Sequence, residues 1–289
     1  MVSSRFLFSI AILLLIMITQ AFAQPAHFCI NNRGNCTTNS TYHTNLNTLL
    51  SSLTYNKNGN AYGFYHSTYG QNSDDQVYAI GLCRGDVKSK DCRSCLNNSR
   101  YGITQRYCPN KKEAIGWYSN CMLRYSNRSM YGVMETKPSF DIRNPQNVSS
   151  SGVDGFNQEL RKLLESVRSK AAAGGSLRKF AYGNATAPTF QTIFAIAQCT
   201  PEISEQACSD CLVGAFGEIP ECCIEKVGGR VSRPSCNFRF EVYRFIEPKM
   251  ILQLPSPPLI LFPPPPSTNI TTVSGGTYMF VPLFRYKVN

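Results

Sequence analysis

The chain has 289 residues, of which 13 are cysteine and three are histidine. Lysine and arginine outnumber aspartate and glutamate by 29 to 18, which gives a formal net charge of +11. The basic residues are scattered, for example at Arg84, Arg93 and Lys111, so the sequence does not predict a nucleic-acid-binding segment. A basic surface also attracts acidic polymers and anionic membranes. An ordinary soluble surface is the simpler interpretation.

The N-terminus has the pattern of a secretory signal peptide. Arg5 supplies a positive charge, an apolar run extends from Phe6 to Ile18, and Ala21-Phe22-Ala23 places small residues where signal peptidase cleaves. This run is shorter than the roughly 20 residues of a membrane-spanning helix. We therefore expect removal of residues 1–23 and a secreted mature protein. In an oxidising compartment, its cysteines are expected to form disulfides rather than zinc or redox sites.

The body of the chain contains an internal repeat. The pattern C-x8-C-x2-C-L occurs at 83–96 and recurs at 199–212. An apolar, strand-like run precedes each copy, Val77–Leu82 in the first and Ile193–Gln198 in the second. The repeat predicts two similar domains in tandem.

Each copy also has two predicted helices. Upstream of the cysteine pattern, apolar residues recur at three- and four-residue spacing from Leu46 to Leu53 and from Phe156 to Val167. The latter helix is predicted to end near Gly174. The other helix in each copy carries the C-x2-C pair, with Ser89 and Ser204 as candidate N-caps.

Each copy ends in two strand-like runs, 114–118 and 121–125 in the first and 229–231 and 236–243 in the second. The order within a copy is strand, helix, strand, helix, strand, strand. We predict an α+β protein of two tandem small disulfide-rich domains, each an antiparallel sheet of about five strands with two helices.

The predicted boundaries follow from this pattern and from proline content. They are a signal peptide at 1–23, a first domain at 27–131, a linker at 132–152, a second domain at 153–246 and a Pro-rich disordered tail at 247–289. The last apolar stretch of the tail, Tyr278–Phe284, is interrupted by Pro282 and is too short to span a membrane.

The repeated cysteine spacing, together with Gly228-Gly229-Arg230-Val231 and Pro234-Ser235-Cys236-Asn237, resembles the plant cysteine-rich repeat family. Its ginkbilobin-homologous, or stress-antifungal, domains occur in secreted cysteine-rich repeat proteins, in plasmodesmata-located proteins and in the ectodomains of cysteine-rich receptor-like kinases. The resemblance covers about residues 27–246. It implies a protein of the apoplast that acts in defence or stress response.

The resemblance also implies a disulfide framework. The implied pairs are Cys29–Cys108, Cys83–Cys92, Cys95–Cys121, Cys199–Cys208 and Cys211–Cys236. Cys36, Cys222 and Cys223 are left over. Cys223 is the counterpart of Cys108, but its family partner at the start of the domain is absent. A vicinal Cys222–Cys223 bridge and an intermolecular bridge through Cys36 both remain open.

The resemblance further implies a mannose site formed by an Asn directly after the first cysteine, an Arg before the penultimate strand and a Glu in the last strand. Arg230 and Glu241 match the last two positions. A guanidinium that donates and a carboxylate that accepts can together hold vicinal sugar hydroxyls. The same two side chains would also pair across adjacent strands as structural residues.

The match to this site is partial. The second domain lacks its first cysteine, so the sequence shows no counterpart of the Asn there. In the first domain, Ile30, Ile115 and Ser126 occupy the three positions. Any surviving ligand site is therefore expected in the second domain.

No catalytic constellation is predicted. His27, His43 and His66 all lie in the first copy, outside any nucleophile motif, and no phosphate-binding glycine-rich loop occurs. We expect a protein that is not an enzyme, with no cofactor and no metal, whose partner is a mannose-type glycan or a cell-surface receptor. A homo- or heterodimer is a further expected arrangement, whereas nucleic acid is not an expected partner. The alternative function is a protein-interaction module that acts with a receptor without binding sugar.

Glycosylation is also expected, because sequons behind a signal peptide are acceptors on surface loops. The seven sequon asparagines are Asn35, Asn39, Asn97, Asn127, Asn147, Asn184 and Asn269. The first is the weakest, since Cys36 separates it from Thr37.

Overall fold

The computed structural model describes residues 25–55, 62–71, 73–188 and 190–246. The predicted signal peptide and the Pro-rich tail lie outside these residues. Within them, the chain forms two five-stranded antiparallel sheets, each packed against two main helices. This confirms the predicted α+β class.

The first domain follows the predicted helices closely. Its elements are β1 (Ala26–Cys29), α1 (Thr41–Ser52), β2 (Phe64–Tyr69), β3 (Val77–Cys83), α2 (Ser89–Tyr101), β4 (Ala114–Trp117) and β5 (Cys121–Ser126). The sheet order is β1-β4-β5-β3-β2. Helix α1 begins after Ser40, whose hydroxyl accepts a hydrogen bond from the His43 N–H at 3.2 Å. Its apolar face, from Leu46 to Leu50, is buried against the sheet.

The second domain repeats this topology. Its elements are β6 (Phe140–Arg143), α3 (Val153–Ala172), β7 (Lys179–Thr186), β8 (Thr192–Cys199), α4 (Glu205–Phe216), α5 (Ile219–Cys222), β9 (Gly229–Ser232) and β10 (Cys236–Glu241). The sheet order is β6-β9-β10-β8-β7. Ser204 caps α4 as predicted, accepting from the Ala207 N–H at 3.1 Å. Ser89 does not cap α2, because it is the first helical residue and Lys88 precedes the helix.

The structure contains one strand per domain that the predicted order lacks. Between the two main helices the sequence pattern indicated one strand, whereas the structure has two, β2 with β3 and β7 with β8. In β2 only Phe64 and Tyr65 are buried, and the rest of the strand is at least partly exposed. An edge strand of this kind has a weak apolar alternation, so its pattern is hard to detect.

Four residues of the predicted linker at 132–152 belong instead to the second sheet. Phe140–Arg143 is strand β6, which pairs with β9 in the second sheet. Pro138 and Pro145 flank this strand without removing any of its own N–H donors, so the ladder forms between them. The second sheet is complete only with residues that the sequence assigned to the linker.

The two domains are in direct contact. An apolar cluster on the first sheet, which includes Trp117, Ile115 and Met122, packs against Phe140 of β6. The Gln198 amide donates to the Cys83 carbonyl oxygen at 2.9 Å in a buried bond between the domains. The Glu135 N–H donates to the Ser235 hydroxyl at 2.8 Å. The groove described below is lined by the second domain and, from the first domain, by Ser119.

Candidate functional site

Six disulfides occupy twelve of the cysteines in the described residues. The pairs are Cys29–Cys108, Cys83–Cys92, Cys95–Cys121, Cys199–Cys208, Cys211–Cys236 and Cys222–Cys223. The first five are the pairs that the resemblance implies, and the sixth is the vicinal bridge that the sequence left open. Cys36 is unpaired and buried, and burial raises the pKa of its thiol.

The side chains of Arg230 and Glu241 are brought to one place but do not pair with each other. Arg230 lies on β9 and Glu241 at the end of β10. Glu241 accepts from the Arg239 guanidinium at 3.0 and 3.2 Å and is buried. Arg230 lies opposite Arg239 in the register of the two strands. The expected structural pairing of Arg230 with Glu241 is therefore absent among the described contacts.

A third polar side chain joins them from strand β6. In the first domain, Cys29 of β1 faces Ala114, and Ile30 follows it. In the second domain, the corresponding pair is Arg143 and Gly229, so Asn144 occupies the position of Ile30. The expectation that the second domain has no counterpart of the Asn is wrong. The missing cysteine removed the sequence marker for this position, and only the strand register identifies it.

Asn144 is held against the carboxylate. Its amide nitrogen donates to Glu241 Oε2 at 3.0 Å, and its amide oxygen accepts from the Gln146 N–H at 3.0 Å. A Cβ atom on Gly228 would lie 2.0 Å from Glu241 Oε2. The glycine therefore leaves the space in which the carboxylate lies.

These residues line an open groove of about 420 Å³, within the roughly 300–1,000 Å³ range of small-molecule sites. Its walls include Asn144, Arg230, Glu241, Arg143, Tyr243 and, from the first domain, Ser119. Donors and acceptors thus converge from β6, β9 and β10. Such a lining suits a polyhydroxylated ligand, because each hydroxyl both donates and accepts.

The first domain closes the equivalent position. Ile115, which corresponds to Arg230, is buried in the apolar cluster at the domain contact. Ser126, which corresponds to Glu241, is fully buried and donates to Glu113 Oε2 at 2.6 Å. That a ligand site belongs to the second domain stays a prediction.

The sequons differ in exposure. Four have exposed side chains: Asn35, Asn39, Asn147 and Asn184. Asn97 lies on α2 and is partly buried, as is Asn127. Asn269 lies outside the described residues. Glycosylation at these positions stays a prediction.

Neither a metal-binding cluster nor a membrane-spanning helix is found in the part of the chain that the structure describes. No group of three or more His, Cys, Asp or Glu side chains is arranged to hold a metal ion. None of the described helices combines the length and apolar character that a membrane span needs.

Several known proteins resemble this chain over most of its length. The antimicrobial ginkbilobin-2-like protein of Castanea crenata is 36% identical over 250 residues, covering 86% of this chain and 100% of the relative. Cysteine-rich repeat secretory protein 38 of Arabidopsis thaliana is 38% identical over 221 residues, covering 76% of this chain and 85% of the relative. Cysteine-rich receptor-like protein kinase 29 of Arabidopsis thaliana is 44% identical over 264 residues. Those residues cover 89% of this chain but only 38% of the kinase.

The fold is that of a solved structure. The tandem DUF26 ectodomain of the Arabidopsis thaliana cysteine-rich receptor-like protein PDLP8 matches with a TM-score of 0.63 at 24% sequence identity, covering 75% of this chain and 96% of that one. The family described as salt stress response/antifungal matches this chain twice, at residues 28–128 and 143–243. The chain therefore belongs to the salt stress response/antifungal family and carries two copies of its domain.

Proposed function

We propose that this protein is secreted into the apoplast and binds a mannose-type saccharide there in defence or stress response, without catalysing a reaction. The observation that carries the proposal is the convergence of Asn144, Arg230 and Glu241 on one groove. These are the three residue types that the family resemblance implies for mannose. Secretion is supported by the signal-peptide pattern at 1–23 and by the similarity to Cysteine-rich repeat secretory protein 38 of Arabidopsis thaliana.

The chemistry of the groove fits a sugar ring. The Glu241 carboxylate has two oxygens that accept from hydroxyl groups, while the guanidinium of Arg230 and the amide of Asn144 donate. Charge-assisted hydrogen bonds of this kind are stronger than neutral ones. The exposed ring of Tyr243 adds an apolar surface at the rim of the groove.

Calorimetry with mannose oligosaccharides tests the proposal on the purified secreted protein. Asn144→Ala and Glu241→Ala should each weaken binding by about tenfold or more, since a hydrogen bond to a charged group is lost or a charged acceptor is removed. Gly228→Ala should weaken binding as well, because the new methyl group occupies the place of the carboxylate. Asn32→Ala, on an exposed turn of the first domain, is the matched control and should bind like the wild type.

Wild-type protein that binds no mannose oligosaccharide, or variants that bind it normally, would overturn this proposal. Far-UV circular dichroism of each variant shows whether the fold is intact. Crosslinking to a cell-surface receptor with unchanged efficiency in the Glu241→Ala variant would then favour the protein-interaction function.

A further inference from the structure

The positive charge of Arg230 has no carboxylate partner among the described residues. Its Nε donates to the Ser232 hydroxyl at 2.9 Å, and both terminal nitrogens lie 3.4 Å from the Tyr118 carbonyl oxygen of the first domain. All of these acceptors are neutral. A guanidinium held in protein surroundings is normally paired with an anion, because the loss of hydration is otherwise uncompensated.

The neighbouring arginines add further positive charge around Arg230 and supply no free carboxylate. Arg84 is paired with Asp86, and Arg239 with Glu241, so the two nearby carboxylates are already engaged. Burial, and then the charges of Arg239 and Arg84, lower the pKa of Arg230 to about 10. Like charges on directly paired strands destabilise a sheet. The arrangement therefore costs stability unless an anion from outside the chain completes it.

The groove beside Arg230 carries the same excess of charge. Its described lining residues include three arginines, Arg143, Arg230 and Arg239, but only one carboxylate, that of Glu241. The remaining polar lining, including Asn144 and Gln146, is uncharged. A neutral sugar satisfies the hydroxyl-binding groups but leaves Arg230 without a counter-ion. A planar carboxylate matches the guanidinium fork in charge and shape.

We propose that the groove binds an acidic saccharide more tightly than a neutral one, with the carboxylate of a hexuronic acid unit on Arg230 and its ring hydroxyls on Asn144 and Glu241. This inference rests on the proposed function, because it assigns a ligand class to the same groove. It is consistent with the chain's excess of 11 positive charges, which draws acidic polymers toward the protein surface.

The test compares oligomers that differ only in charge. Calorimetry at low and at physiological salt is run with a galacturonic acid oligomer, with its fully methyl-esterified form and with a mannose oligomer of equal length. The acidic oligomer should bind roughly tenfold more tightly than its ester, and the difference should shrink as salt rises. Arg230→Met should remove the difference, while Arg93→Met, at an exposed position with the same loss of charge, should keep it.

Each other outcome is decisive. Equal binding of the acidic oligomer and its ester overturns the acidic-ligand inference, and the proposed function survives if the mannose oligomer binds. Competition by inorganic phosphate or sulfate as effective as the oligomer itself overturns the saccharide assignment in favour of a simple anion site. If none of the three oligomers binds, the inference and the proposed function both fail.

Discussion

Both domains have a carboxylate at the same point of the sheet, but it comes from a different one of the two neighbouring strand segments in each domain. In the second domain it is Glu241 of β10, and Gly228 leaves the space for it. In the first domain Glu113, at the position of Gly228, supplies the carboxylate, and Ser126 at the position of Glu241 donates to it. Arg128 completes the first arrangement by binding Glu113 at 2.9 Å.

This difference separates a closed site from an open one. In the first domain Arg128 and Arg124 are both paired, with Glu113 and Glu135, so the charges are satisfied within the fold. The hydrogen bonds that Arg128 donates to Glu135 and Glu113 raise its pKa, although burial opposes this shift. In the second domain Arg230 has no such partner among the described residues. The same scaffold thus supports a structural ion-pair network in one copy and an open groove beside an arginine without a carboxylate partner in the other.

The largest expected effect comes from the bridge that only the first domain has. Cys29–Cys108 joins residues 79 positions apart, and its replacement in a C29S/C108S variant should cost about 4 kcal/mol of unfolding free energy. Urea unfolding followed through the fluorescence of Trp117, the single tryptophan, measures this loss in the first domain.

The matched variant is C222S/C223S in the second domain. Its two cysteines are adjacent in sequence and close no loop, so the loss should be below about 1 kcal/mol. Circular dichroism measures this loss, because the second domain contains no tryptophan whose fluorescence could be followed. Equal losses in the two variants would contradict the loop-entropy explanation of the difference.

A smaller effect is expected at low pH in the first domain. Burial opposes ionisation of Glu135. The hydrogen bonds from Arg128 and Arg124, together with their positive charges, outweigh this effect and lower the pKa of Glu135. A carboxyl with a lowered folded pKa contributes stability that is present above its unfolded value, near 4.5, and is lost as pH falls through the folded value.

Glu135→Gln should remove this part of the acid dependence and cost on the order of 2 kcal/mol at pH 7, less than for a fully buried pair. Denaturant titrations between pH 2 and pH 7 check both expectations. Glu165→Gln is the control, because its exposed pair with Arg168 should contribute no more than about 0.5 kcal/mol. The comparison fails if the two variants lose the same stability.

The smallest effect is expected where the second domain is made to resemble the first. Arg230→Ile removes a charge without a carboxylate partner, so unfolding free energy should stay within about 1 kcal/mol of the wild type or increase. Arg124→Ile, at the equivalent position of Arg239, breaks the pair with Glu135 and should be destabilising. Thermal unfolding of both variants measures the two changes in stability. A large loss in Arg230→Ile would show that Arg230 is a structural residue.

Much of the fold was predictable because it depends on local periodicity. The apolar faces of α1 and α3, the strand-like runs at β3 and β8, and the repeated cysteine spacing are all visible in the chain. Edge strands β2, β6 and β7 were not predicted, because each is only partly buried. Prolines also flank β6 and indicate a loop there. Ser40 was also missed as the cap of α1, although a serine before an amphipathic run is a usable signal.

The sequence by itself determined the duplication, because a repeated cysteine pattern is a property of spacing along the chain. Five of the bridges and two of the three groove residues were implied by the family resemblance. Only the tertiary structure decided that Asn144 joins Arg230 and Glu241, since strand register and not sequence distance brings β6 beside β9. It also decided that Cys222 pairs with Cys223 and that Arg230 faces other arginines. Charge balance depends on neighbours in space, and those neighbours come from distant parts of the chain.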